Sequence, residues 1–138
     1  MKWIFMCVAM ALWNPGWQNA QKPEEKPAAA ASTADADAAK LVNPVKTSPV
    51  SLASGKKTYG TDCAMCHGKT GAGDGDLAGD MKLTLKDFRD PEVLKTLSDG
   101  EIYMIIDKGK GQMQGEEGRL KSHQIWDVVN YVRSFSKK

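Results

Sequence analysis

Cysteine and histidine are scarce in this chain, with three and two residues among 138. A structural zinc centre normally takes about four Cys, His or carboxylate ligands, often as two Cys pairs or paired histidines. Beyond one cluster at residues 63–67, only Cys7 and His123 remain. Charge of one sign is also lacking, since 19 Lys and Arg stand against 17 Asp and Glu for a net +2. So small an excess argues against nucleic acid as a partner. The longest apolar run, Trp3 to Trp13, is far short of the roughly 20 residues that cross a bilayer as a helix. Strand signals are nearly absent, and there is no internal repeat. These absences leave a small helical protein with few options for chemistry.

What is present is concentrated at Cys63-Ala64-Met65-Cys66-His67. C-x-x-C-H is the signature of covalent haem attachment. Two thiols three positions apart on a helix end reach the two vinyl groups on one porphyrin edge, and the following imidazole is carried beneath the ring toward the iron. A thioredoxin-like dithiol would need a preceding strand, whereas the residues before Cys63 read as helix and those after it are Gly-rich. Zinc and a redox dithiol stay as the competing readings. The expected cofactor is one covalent haem c, held by Cys63 and Cys66 with His67 as the fifth iron ligand.

Composition divides the chain in three. Residues 1–20 carry one charge, Lys2, and then the apolar run, broken at Asn14-Pro15-Gly16. This fits a signal peptide cut after Ala20, although Gln18 stands where a small residue is usual. Cys7 lies inside it and leaves with it, so no structural disulfide is expected. Export suits the cofactor, because bacteria join haem to such motifs after translocation. The expected location is periplasmic, with membrane attachment only if the leader stays uncut. Residues 21–50 form a Pro/Ala-rich linker without aromatics, unable to bury enough surface to order itself. Residues 51–138 are the folded domain, a length at which a buried cofactor adds materially to a marginal core.

Helix signals recur within that domain. Ser51 is read as the cap of a first helix, Leu52 to Cys66. Asp90-Pro91 opens a short helix through Leu97. Ser98 with Glu101 forms a capping box for a helix that Gly109 ends as a left-handed residue would. Ser122 caps a last helix bearing Ile125, Trp126, Val128, Val129, Tyr131, Val132 and Phe135.

The sixth iron position decides function: an occupied site favours electron transfer, and an open one favours gas binding or catalysis. Four methionines lie in this domain. Met65 is trapped between the cysteines, Met104 reads as core packing, and Met81 lies in the irregular stretch after the motif. Met113 lies in a Gly-rich loop between the last two helices that can fold over the far side of the ring, so Met113 is the expected sixth ligand.

Residues 51–138 thus resemble a class I c-type monohaem cytochrome of the bacterial c6-like or c551-like sort. Gly55 and Tyr59 stand where that family places a glycine and an aromatic at the crossing of its first and last helices. Trp126, Val128 and Tyr131 match its last-helix pattern, and Met113 its distal methionine. The resemblance implies an all-α fold of about four helices around one haem c, with Gly55 and Tyr59 meeting Val128 and Tyr131. Gln114 replaces the proline that commonly follows the distal methionine. The loop Gly71 to Asp76 lacks the proline whose carbonyl usually receives the proximal histidine's second N–H, so another carbonyl there is expected to do so.

The implied function is that of an exported one-electron carrier, monomeric, between a donor and an acceptor protein. No catalytic base, nucleophile or cleft is legible, so it is not read as an enzyme. An open or labile sixth site, for gas binding or peroxidase-like chemistry, and service as the electron-input subunit of an oxidoreductase are the alternatives. Lys56, Lys57, Lys69, Lys108 and Lys110 are candidates to ring the haem edge, or else plain surface. Lys82, Lys86 and Arg89 are candidates for the propionates. Tyr59, Phe88, Tyr103, Trp126 and Tyr131 are expected as packing residues, and His123 as exposed.

Overall fold

Ser48, rather than Ser51, starts the first helix. Its backbone is extended, its side-chain oxygen receives the Ser51 N–H at 3.2 Å, and Pro49 takes the first turn, where a missing N–H costs nothing. The computed structural model describes residues 37–136, so the leader with Cys7 and the front of the linker lie outside the described residues. Within them the chain forms helix α1 (Pro49–Asp62), α2 (Ala64–His67), α3 (Asp76–Asp80), α4 (Pro91–Lys95) and α5 (Asp99–Lys108). A hairpin, β1 (Gly109–Lys110) with β2 (Met113–Gln114), and helix α6 (Ser122–Phe135) complete it. The expected all-α class holds, with that one short hairpin added.

The core is the meeting of α1, α5 and α6. Ile125, Val128, Val129, Val132 and Phe135 of α6 pack with Tyr59, Leu94, Ile102 and Ile106, and Trp126 joins them. Burial on more than one side of α6 follows from its apolar residues covering more than one stripe. Tyr103 stacks on Trp126 at 4.3 Å between centroids, and its hydroxyl donates to Ser122 Oγ at 3.1 Å. α1 and α6 cross at Gly55, where a Cβ would lie 2.1 Å from the Asp127 carbonyl oxygen and 2.9 Å from Tyr131 Cβ. The crossing glycine was legible, but its neighbour is Asp127 as well as Tyr131. Tyr59 stacks edge-on against Tyr131 (5.4 Å) and Phe135 (5.2 Å).

The caps at Asp90 and at Ser98 with Glu101 form as expected. α4 ends earlier than Leu97, at Lys95. Lys121 occupies the cap position of α6, and its N–H donates to Gln124 Oε1 at 3.0 Å. Ser122, expected there, is the first helical residue instead. Gly109 does end α5 with a positive φ of 82°, but its ψ of 170° is extended and not left-handed helical. The reason is its pairing with Gln114 across the hairpin.

The back of the expected linker is not free chain. Asn130 Nδ2 donates to the Val45 carbonyl (3.0 Å) and to Ser51 Oγ (2.9 Å). Asn43 Nδ2 and Thr47 Oγ1 donate to Asn130 Oδ1 at 3.0 and 3.2 Å, and Ser51 Oγ donates to Asp127 Oδ1 at 2.6 Å. Ala38 is buried, and its carbonyl lies against Gly100 at the start of α5. Residues 38–48 therefore strap across α5 and α6, because buried polar groups on α6 take backbone and side-chain partners from that segment.

Candidate functional site

α1 and α2 are separated by Cys63, whose φ of −113° and ψ of −34° offset the two helical pieces. The Cys63 carbonyl receives the N–H groups of Cys66 (3.2 Å) and His67 (2.9 Å). The motif therefore occupies its own single turn, with both thiols and the imidazole projecting from one short element. Cys63 and Cys66 are half-buried and carry free thiols. Burial first, then the carboxylates of Asp62 and Glu116, push the Cys63 thiol up to about 12. It is held in the protonated form.

After the motif the chain is pinned closely. Gly73 N–H donates to the His67 carbonyl at 2.9 Å, Gly75 N–H to the Cys66 carbonyl at 3.1 Å, and Phe88 N–H to the Gly71 carbonyl at 2.7 Å. The last bond sets Phe88 against His67, ring on ring, with centroids 4.9 Å apart. Tyr59 OH donates to the Gly68 carbonyl at 2.9 Å, within the core. Burial raises the phenol well above its ordinary range, so it remains a donor. Tyr59→Phe leaves that carbonyl with the Gly71 N–H alone, at 3.2 Å, and the loss of one buried hydrogen bond costs about 0.5–1.5 kcal/mol. The expected fall in Tm is about 2–12 °C for a domain of this size, measured by circular dichroism on haem-loaded protein whose visible spectrum is unchanged.

His67 bears the clearest mark of a binding atom. Its Nδ1 is buried without a hydrogen-bond partner, and burial lowers its pKa below the usual histidine value. The imidazole is thus neutral at pH 7, the form that ligates metal. A buried ring nitrogen without a partner costs about 1–3 kcal/mol unless something binds there. The loop carbonyl expected to receive Nδ1–H does not reach it.

Met113 lies in β2, half-buried and packed against the core, paired across the hairpin with Lys110. The other methionines are placed differently. Met65 and Met81 are 59% and 48% exposed, and Met104 is half-buried within α5. Among the described residues no three His, Cys, Asp or Glu side chains gather around a separate ion.

Residues 52–136 match the cytochrome c family. This chain belongs to that family. It is 33% identical over 87 residues to cytochrome c6 of Pyropia tenera, covering 63% of this chain and 95% of the relative. It is 36% identical over 90 residues to FixP, a cbb3-type cytochrome c oxidase subunit of Bradyrhizobium diazoefficiens, covering 61% of this chain but only 30% of that protein. Among solved structures, the KustC0563 c-type cytochrome superposes with a TM-score of 0.53 at 29% identity over 59% of this chain and 95% of its own. A Kuenenia stuttgartiensis reducing HAO-like protein complex gives 0.58 at 24% identity, over 69% of this chain and 49% of that one, a likeness of fold.

The cofactor of a cytochrome c is covalently bound haem c, and Cys63 and Cys66 lie in the C-x-x-C-H stretch. The residues present fit that group. Two free thiols lie on one turn, a neutral imidazole has an unpartnered buried nitrogen, and Phe88 covers its ring face. Two surface expectations change with the geometry. Lys108 is engaged with Glu117 and with Asp107 (3.2 Å), so it is not a free steering charge. Arg89 is held by Asp87 at 2.7 Å and is not free for a propionate. Lys56, Lys57, Lys69, Lys82, Lys86 and Lys110 are exposed, as is His123.

Proposed function

We propose that this cytochrome is an exported one-electron carrier in which Cys63 and Cys66 would form the thioethers and His67 and Met113 would ligate the iron. What supports this reading is a buried His67 Nδ1 without a hydrogen-bond partner, together with a half-buried Met113 packed against the core. The bound haem supplies reversible one-electron cycling between ferric and ferrous iron. His67 contributes a neutral donor oriented by its turn and by the Phe88 ring. Met113 contributes a soft thioether, which favours the reduced state. The apolar residues of α1, α5 and α6 exclude water and limit reorganisation when charge changes. Leader residues 1–20 direct export, and residues 21–37 tether or space the domain before the strap begins. Donor and acceptor are redox proteins that dock transiently on a monomer. Similarity to an oxidase subunit supports a second role as the electron-input module of a larger complex.

The test is an absorption spectrum of protein matured in cells that make c-type cytochromes, with and without carbon monoxide. The reduced protein is expected to resist the gas. Met113→Ala is expected to bind it rapidly and to lower the midpoint potential by on the order of 0.1–0.3 V, within the ~0.8 V that axial ligands span. Wild-type spectra and potential in Met113→Ala, with both altered in Met81→Ala, would reassign the ligand.

A further inference from the structure

We propose that Arg119 is a positioning residue: it latches the loop that carries Met113 to the end of the helix that carries Cys63, and so sets how firmly the distal side is closed. The inference rests on Met113 as the sixth ligand. After β2 the chain folds back on α5, with Glu116 N–H donating to the Ile106 carbonyl and Glu117 N–H to that of Asp107, each at 2.9 Å. Arg119 and Leu120 N–H groups then donate to the Glu116 carbonyl at 2.9 and 3.1 Å. This tight turn presents Arg119 toward α1. Its Nη2 donates to Asp62 Oδ1 at 2.9 Å, and its Nε lies 3.3 Å from Glu116 Oε2.

The asymmetry of burial makes this bridge more than a surface ion pair. The Arg119 side chain is 62% exposed, but those of Asp62 and Glu116 are only 16% and 11% exposed. Glu116 Oε2 is buried and accepts no hydrogen bond, so the guanidinium charge beside it is its compensation. An ordinary exposed pair contributes little. Removing a cation shared by two sheltered carboxylates leaves them repelling each other with poor hydration. Asp62 adjoins Cys63, and both carboxylates act on its thiol, which places the latch at the haem attachment point. The bridge spans 57 positions of sequence, tying the distal loop to the proximal side. Lys108, joining Asp107 and Glu117, braces the other flank of the same loop without reaching α1.

The experiment uses haem-loaded, full-length protein. Arg119→Ala, Arg119→Gln, Arg119→Lys and Met113→Ala are compared by the rate of carbon monoxide binding to the reduced form. Amide hydrogen exchange is read at Glu116, Glu117 and, as reference, Val129. Arg119→Ala and Arg119→Gln are expected to bind the gas about tenfold faster, equivalent to about 1.4 kcal/mol of loosening. Exchange at Glu116 and Glu117 is expected to rise about as much, with Val129 unchanged. Arg119→Lys, which keeps the charge, is expected to recover most of the wild-type behaviour. Wild-type gas binding and exchange in both neutral variants would overturn the latch. Equal acceleration at Val129 would do so too, because it would mean general destabilisation. If Met113→Ala alone fails to open the site, the ligand assignment falls, and exchange at Glu116 and Glu117 still decides whether Arg119 holds the loop.

Discussion

Gly55→Ala is expected to lower the Tm of the haem-loaded protein by about 10–25 °C. The added Cβ would lie 2.1 Å from the Asp127 carbonyl oxygen and 2.6 Å from its carbon. Both are backbone atoms, so no side chain can swing aside, and α1 and α6 must separate. Overpacking a core typically costs about 1–3 kcal/mol, and this site lies at or above the upper end. Each kcal/mol moves Tm by about 4–8 °C in a domain of this size, out of a total stability of about 5–15 kcal/mol. Separation would also strain the Ser51–Asp127 bond at 2.6 Å and the Asn130–Ser51 bond at 2.9 Å. Gly60, on the same helix, has nothing within 4 Å of the equivalent position. Gly60→Ala is therefore expected to be neutral or to stabilise by up to about 1 kcal/mol, because alanine is the better helix former. Thermal melts followed by circular dichroism compare the two. A Gly55→Ala melt matching wild type would mean that the helices do not cross there.

Cys63→Ser with Cys66→Ser is expected to yield colourless protein, about tenfold less abundant in cells. Loss of the thioethers removes covalent attachment, and without the porphyrin the core is incomplete. Cys63, Ala64 and Met113 are partly buried and pack against the core cluster that includes Tyr59, Trp126 and Phe135. A domain this small gains a large share of its stability from a buried cofactor. Binding free energy in such a case is folding free energy, as with structural metals. Haem staining after denaturing electrophoresis reads the attachment, and fractionation reads the yield. A stained band from the double variant would refute attachment at these thiols.

Much of the site was legible because its signals are short-range. C-x-x-C-H lies within five residues, and the caps at Asp90 and Ser98 depend on contacts two or three positions apart. The matched pair Gly55 and Tyr59 anticipated the Tyr131 contact, since a helix presents one face at fixed spacing. Other features escaped the sequence. Ser48 outcompeted Ser51 as a cap because Ser51 is drawn inward to Asp127. Residues 43–48 read as linker because their composition is poor in apolar groups, yet Asn130 supplies polar partners 83 to 87 positions away. Phe88 reached His67 through one backbone bond to Gly71, and no local pattern encodes it.

The sequence by itself determined the C-x-x-C-H stretch that marks the cofactor, the caps that start α4 and α5, and which residues form the apolar face of α6. Those depend on covalent spacing, caps and helical period, all settled within a few positions. Only the tertiary structure decided that the N-terminal strap is part of the domain, that Lys108 and Arg89 are engaged, and that Arg119 joins the distal loop to the proximal helix. Each of these is a polar pairing, and all but the Arg89–Asp87 and Lys108–Asp107 pairs join parts of the chain distant enough in sequence that their partners are set by how the elements stack.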